Sequence, residues 1–153
     1  MEIQFLADRP EFIPLISNWY YTQWGQFMKD QSEQKIRDRM SGMLNRDKIP
    51  LHIVAVEGTE LLGVAQLKIR EMDIYPDKEH WLGGVYVAPN ARGRGLGSVL
   101  VTKALELAKQ LKVKTLYLQA ENLEGGLYAP LGFRPLEKTH YNGFDVLVME
   151  HSL

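Results

Sequence analysis

A chain of 153 residues, 45% hydrophobic and 24% charged, is ordinary globular material with enough length for one sizeable core. Its formal net charge of −1 argues against general nucleic-acid binding, and no apolar run approaches membrane-spanning length. The complete lack of cysteine removes disulfides, a thiol nucleophile and thiolate metal sites together, and suits a reducing compartment.

The first residues, Met1-Glu2-Ile3-Gln4-Phe5-Leu6, are acidic early and too briefly apolar for a signal peptide. With no repeat, linker or low-complexity tract, the expectation is a single domain over residues 1–153, located in the cytoplasm, with neither nucleic acid nor membrane as partner. Residues 3–7 read as a first strand. Asp8 before Pro10 is a helix-start signal, and Phe12, Ile16, Trp19 and Tyr20 recur at helical spacing, with Pro14 disturbing the first turn. Ser32 is placed to cap a second helix with Ile36, Met40, Met43 and Leu44 inward and a Glu33/Arg37 pair outward. Between these helices lie Trp19, Tyr20, Tyr21, Trp24 and Phe27. Trp19 and Tyr20 fit a core, but five rings cannot easily face one core.

Residues 51–56 are apolar and β-branched, residues 57–60 make a turn, and residues 61–70 return as a strand. Ala65, Leu67 and Ile69 alternate there with Gln66, Lys68 and Arg70, the pattern of an antiparallel strand wet on one face. A polar loop, 71–78, leads to a central strand at 80–87. Gly83-Gly84 inside it weakens a strand yet permits a bulge or a close approach by another backbone. Leu96, Leu100, Ala104, Leu107, Ala108 and Leu111 form one helical apolar stripe. A strand at 115–119 follows, parallel to the central one through a right-handed crossover. A short helix carrying Tyr128 then closes at Gly132, and strands at 136–140 and 144–149 flank an Asn142-Gly143 hairpin turn.

The stretch Val85-Tyr86-Val87-Ala88-Pro89-Asn90-Ala91-Arg92-Gly93-Arg94-Gly95-Leu96-Gly97-Ser98 carries the strongest functional signal. A strand, a Gly/Arg loop and a helix N-terminus in that order make an anion cradle, because backbone N–H groups are unpaired at a helix start and the helix dipole adds positive charge. The Gly-Lys-Ser/Thr ending of a P-loop is missing, and Ser98 stands where a dinucleotide fingerprint needs its third glycine. A tight strand-to-helix turn in any α/β protein is the plain alternative. The Arg-x-x-Gly-x-Gly pattern of Arg92, Gly95 and Gly97 resembles the pyrophosphate loop of the GNAT superfamily of N-acetyltransferases. Further on, Leu127-Tyr128-Ala129-Pro130-Leu131-Gly132-Phe133 resembles the Leu-Tyr-x-x-Leu-Gly-Phe signature of the same superfamily. The similarity covers at least residues 81–133.

That resemblance implies the GNAT acyl-CoA N-acyltransferase fold, an α/β (α+β) architecture. The expected sheet is mixed and mostly antiparallel, with about six to seven strands, a splayed central parallel pair and about four flanking helices. It also implies an acetyl-CoA-dependent N-acetyltransferase, with acetyl-CoA (coenzyme A) as cosubstrate and a small-molecule or peptide amine as acceptor, acting as monomer or homodimer. A bulge in the central strand would splay it from its parallel neighbour and admit the pantetheine arm. Val85, Tyr86 and Val87 would offer backbone to that arm and to the thioester oxygen, and Arg92, Gly93, Arg94, Gly95, Leu96, Gly97 and Ser98 would hold the pyrophosphate. Asn122 corresponds to a family asparagine on the pantetheine, although its spacing to Tyr128 is one residue shorter and Gly125-Gly126 replaces the usual small residues. Tyr128 matches the tyrosine placed near the coenzyme sulfur as general acid.

For the general base, Glu79 and His80 precede the central strand, where the family often places a carboxylate or histidine. Glu121 and a water chain are further options. Tyr21, Trp24 and Phe27 fall in the loop that lies beside the acceptor site in such proteins, and would make an apolar or cation-binding wall. The four histidines are dispersed without metal-ligand spacing, so no metal is expected. A non-catalytic acyl-CoA sensor of the same fold is the rival reading; it would keep the loop but need neither Tyr128 nor an open acceptor cleft.

Overall fold

The computed structural model describes residues 1–153. In chain order the elements are β1 (Glu2–Phe5), α1 (Ile13–Gln23), α2 (Glu33–Ser41), β2 (Leu51–Glu57), β3 (Glu60–Ile69), β4 (His80–Val87), α3 (Leu96–Gln110), β5 (Thr115–Ala120), β6 (Arg134–Tyr141) and β7 (Phe144–Ser152). The strands form one seven-stranded sheet in the order β1-β2-β3-β4-β5-β7-β6. Every neighbouring pair is antiparallel except β4–β5.

Alternation along the strands sends side chains to two cores. Leu51, Ile53 and Ala55 of β2 pack with Leu67 and Leu82 beneath Leu100, Ala104 and Leu107 of α3. Val54 and Val56, with Leu61 and Val64 of β3, lie under Ile16 and Tyr20 of α1 and Ile36 and Met40 of α2. The sheet is thus apolar on both faces where helices cover it.

Helix boundaries follow local chemistry. Pro10 opens a single 3-10 turn (Pro10–Phe12), and α1 begins only at Ile13 with Pro14 in its first turn, where a missing N–H is harmless. Asp8 caps no helix; its carboxylate instead pairs with the Arg46 guanidinium. Ser32 does cap α2, its Oγ accepting from the Lys35 N–H at 3.1 Å, and Glu33 lies 3.7 Å from Arg37. The stripe on α3 is buried as its spacing predicts, with Leu111 partly covered.

The short helix expected around Tyr128 is reduced to a 3-10 turn at Ala129–Leu131, leaving three α-helices instead of about four. Gly125 and Gly126 take positive φ values of 96° and 47°, which α-helical backbone does not allow, and Pro130 cannot donate to a longer ladder.

Two irregularities in β4 open the sheet. Between the pairs Gln66↔Gly83 and Val64↔Tyr86, β4 uses one residue more than β3, so a bulge sits at Gly84-Val85. Gly84 has φ +56°, and a Cβ there would lie 2.5 Å from the Tyr20 hydroxyl oxygen, which donates to the Gly84 carbonyl at 2.7 Å. On the other edge, β4 pairs with β5 only at Trp81↔Tyr117. Beyond that point the parallel strands splay into a V, and the β5-facing edge of β4 has no strand partner.

Candidate functional site

The V opens into a cleft of about 630 Å³. Gly84 and Val85 form one wall, Gln119, Ala120 and Glu121 the other, and Tyr128 closes the C-terminal side. The roof is made by the ends of α1 and α2 (Trp24, Ile36, Met40) and by the β6–β7 hairpin (Tyr141, Asn142, Phe144). Beside Val87, on the α3 side, a smaller cavity of about 190 Å³ is lined by Arg92, Gly93, Gly95, Leu96, Gly97, Ser98 and Leu127. The two openings lie two residues apart along β4, so the splayed edge leads from one to the other.

At the smaller opening Gly95 is the N-cap of α3 in a left-handed conformation (φ +76°), and no side chain caps the helix. The N–H groups of the first turn are therefore free to meet an anion. A Cβ on Gly93 or Gly95 would meet nothing within 4 Å, so both face open space; Gly97 instead packs toward Leu127, 3.1 Å from a would-be Cβ. Arg92 is anchored by its Nε donating to the Val87 carbonyl at 3.0 Å while its guanidinium lies over the Tyr86 ring. Arg94 reaches the Asn90 carbonyl at 3.4 Å. This cradle fits a diphosphate: backbone donors, a helix N-terminus and the Arg92 guanidinium surround open space, with Arg94 outside the lining.

Tyr128 lines the cleft, its ring edge-on to Phe133 at 6.0 Å. Burial pushes its hydroxyl up to about 12, and the charges of Glu71 and Glu121 add to the effect, so it is protonated throughout the working range. Tyr20, buried against Gly84, is raised by the same burial and by Glu71. Asn122 sits at the β5 end, where its Oδ1 accepts from the Glu124 N–H at 2.9 Å and its side chain fills the space beside Gly126.

The titratable residues singled out by sequence divide sharply. Glu121 lines the cleft and accepts from Trp24 Nε1 at 3.0 Å. Glu79 and His80 do not line it. The Glu79 carboxylate lies 3.6 Å from Arg70 and 3.2 Å from His80 Nε2, while strand alternation buries the adjacent Trp81 with Met72, Val146 and Val148. Among the aromatic residues, Trp24 lines the cleft, Tyr21 packs against the core under α1 and α2, and Phe27 is 62% exposed. Phe27 nonetheless meets the roof, its ring edge-on to Phe144 at 5.9 Å.

Sequence reasoning missed three cleft residues. Glu71 opens the loop after β3; its Oε1 accepts from Lys68 Nζ at 2.7 Å, and its Oε2 is buried with no partner. Gly83 makes room for that pair, since a Cβ there would lie 2.5 Å from Glu71 Oε1. His52 and Gln66 are 1% and 6% exposed, directly paired across β2 and β3. The polar face read on β3 is therefore the floor of the cleft and not a face open to bulk water. The apolar sheet face under α1 and α2 turns polar where the helices end.

A model of the acetyltransferase (GNAT) family matches residues 13–133. The chain belongs to that family. Over 88 residues this GNAT chain is 34% identical to the aminoglycoside N(6')-acetyltransferase type 1 of Klebsiella aerogenes, a stretch covering 56% of this chain and 57% of that protein. The fold is shared with the ribosomal-protein-alanine N-acetyltransferase of Brucella melitensis (TM-score 0.74, 24% identity, all of both chains). It is shared equally with an aminoglycoside 6'-N-acetyltransferase solved with coenzyme A (TM-score 0.74, 16% identity, 99% of this chain and 97% of that one). No helix of this GNAT protein is long and apolar enough to cross a membrane.

Proposed function

We propose that this protein transfers an acetyl group from acetyl-coenzyme A to a primary amine of a small molecule or peptide, by direct attack with both molecules bound. The observation that carries the reading is the continuity of the site. An anion cradle at α3 in the smaller cavity, an unpaired strand edge on β4, and Tyr128 with two carboxylates in the larger cleft follow one another along β4. When bound, acetyl-coenzyme A supplies the acetyl thioester.

In this reading the first-turn N–H groups of α3, with Arg92 and Arg94, hold the pyrophosphate, and the free edge of β4 at Val85 and Val87 hydrogen-bonds the pantetheine amides and the thioester oxygen. Asn122, in the turn after β5 and outside the lining of both cavities, would contact the pantetheine arm only at its edge. Glu71 and Glu121 attract the acceptor ammonium, and one of them accepts its proton directly or through water, so that the neutral amine can attack. The Tyr128 hydroxyl then delivers its proton to the departing sulfur. Aminoglycosides, named in one relative, are one acceptor class to include in a panel, beside polyamines, amino acids and peptide N-termini.

The cradle is tested by Gly95→Leu. A side chain in the open space before α3, at a left-handed position, should weaken coenzyme A binding at least ~10-fold. Calorimetric titration gives the affinity, and a melting curve confirms the fold. Unchanged affinity in the folded variant removes the cradle from the account.

Trp24 and Phe27 give a second test. Trp24 lines the cleft and Phe27 touches only its roof, and neither is buried, so truncation to Ala should raise the amine KM and leave coenzyme affinity nearly intact. Melting should shift far less than the 3–5 kcal/mol typical of a lost core aromatic, roughly 1 kcal/mol at most. Large destabilisation with unaltered KM would return both rings to a structural role.

A further inference from the structure

On the floor of the cleft, His52 is buried and both of its ring nitrogens lack a partner, although the residue lines the cavity. Buried polar groups are normally hydrogen-bonded, and two orphan nitrogens on one ring are costly unless a ligand meets them. Gln66, its cross-strand neighbour, lines the same cavity, and its amide has only the Met43 sulfur at 3.6 Å as protein partner. Apolar residues at these two positions would simply extend the core formed by Val54 and Val64. The sheet instead places two uncharged polar groups beside the Lys68–Glu71 pair.

We propose that His52 and Gln66 form a subsite for a second, uncharged hydroxyl-class group of the acceptor, so that the enzyme selects hydroxylated amines over plain alkylamines. The proposal rests on the reading of this cleft as the acceptor site. A neutral imidazole offers one donor and one acceptor, and a hydroxyl group supplies the complement of both. Burial, with the charge of Lys68 adding to it, holds the His52 ring in that neutral form at working pH. The cation of the acceptor belongs elsewhere, at Glu71 and Glu121. His52 lies two strands from β4, about 10 Å at ordinary strand spacing, so the hydroxyl must sit at about that distance from the reacting nitrogen.

The test uses two matched series, ω-amino alcohols and n-alkylamines of two to ten carbons, with the coenzyme A-loaded protein for binding and acetyl-coenzyme A for turnover. Amino alcohols should be favoured at least ~10-fold in kcat/KM and in Kd, with the preference peaking near the chain length that spans about 10 Å. His52→Leu and Gln66→Leu should each erase most of that preference while leaving the alkylamine values near parental. His52→Gln, which keeps a donor and an acceptor, should retain part of it. Equal treatment of the two series at every length overturns the subsite, as does a preference that survives both Leu variants or binding by neither series. Preferential binding of amino alcohols without any acetyl transfer supports the subsite while refuting the transfer reading.

Discussion

Tyr128→Phe should lower kcat and kcat/KM together by ~10²–10⁴-fold, the range of a positioned general acid, and leave coenzyme A affinity unchanged. The hydroxyl matters only as the carbon–sulfur bond breaks, so its removal acts on the transition state and not on ground-state binding. The raised affinity of this hydroxyl for its proton ensures that Tyr128 enters the reaction protonated, and the cleft position puts it within the same opening as both carboxylates. Phe keeps the ring and its edge contact with Phe133, so stability should hold. Steady-state kinetics with an amine that the parent acetylates checks this. Near-parental turnover in the folded variant would reduce Tyr128 to a positioner of the sulfur, with water protonating a thiolate of pKa ~8.5.

The second large effect is on stability in acid. His52 is held neutral down to about 3 by burial first and Lys68 second. An unfolded histidine titrates near 6.5, so the unfolded chain gains a proton below that pH while the folded chain does not. Stability is therefore full above about pH 6.5 and falls as pH drops toward 3. At pH 4.5 this one residue should remove about 2.5 kcal/mol relative to pH 7, and by pH 3, where the folded ring begins to protonate, about 4 kcal/mol. His52→Gln cannot gain that proton in either state, so its stability should fall less steeply than the parent's over the same window. Urea unfolding at pH 7, 5.5 and 4.5 reads the difference directly. Parallel curves for parent and variant would mean that His52 protonates freely in the fold and is not sequestered beneath the cleft.

These two residues mark how far a linear reading reaches. Tyr128, Arg92 and Gly95 stand in contiguous motifs whose function depends on local backbone geometry, so they are legible before any fold is known. The order of strands and helices is equally local: the α3 stripe, the Asn142-Gly143 turn and the Ser32 cap each carry their own signal. The supposed fourth helix fails because two glycines with positive φ outweigh the spacing around Tyr128. Glu71 and His52 could not be found the same way. Glu71 heads what reads as a polar surface loop, and only the return of that loop over Lys68 and Gly83 buries it. His52 interrupts an apolar β-branched run, and its meaning depends on pairing with Gln66 and on where α1 and α2 stop covering the sheet. Glu79 and His80 show the converse. Their place before β4 suggested a base, but neither lines the cleft: alternation sets His80 on the face opposite Trp81, and Glu79 pairs with Arg70 and His80.

The central claim is transfer of acetyl from coenzyme A to an amine in this cleft. It is tested most directly by incubating the purified protein with acetyl-coenzyme A and a panel of primary amines that includes hydroxylated diamines, aminoglycosides and peptide N-termini. Free thiol release and the 42-dalton mass gain of the amine are followed together, with ~42 being the mass that an acetyl group adds in place of hydrogen. The account predicts stoichiometric thiol and acetylated amine, reduced at least ~10-fold by Gly95→Leu at limiting coenzyme and ~10²–10⁴-fold by Tyr128→Phe. Tight coenzyme binding with no acetylated amine across the panel would contradict it and favour a protein that senses the coenzyme without using it.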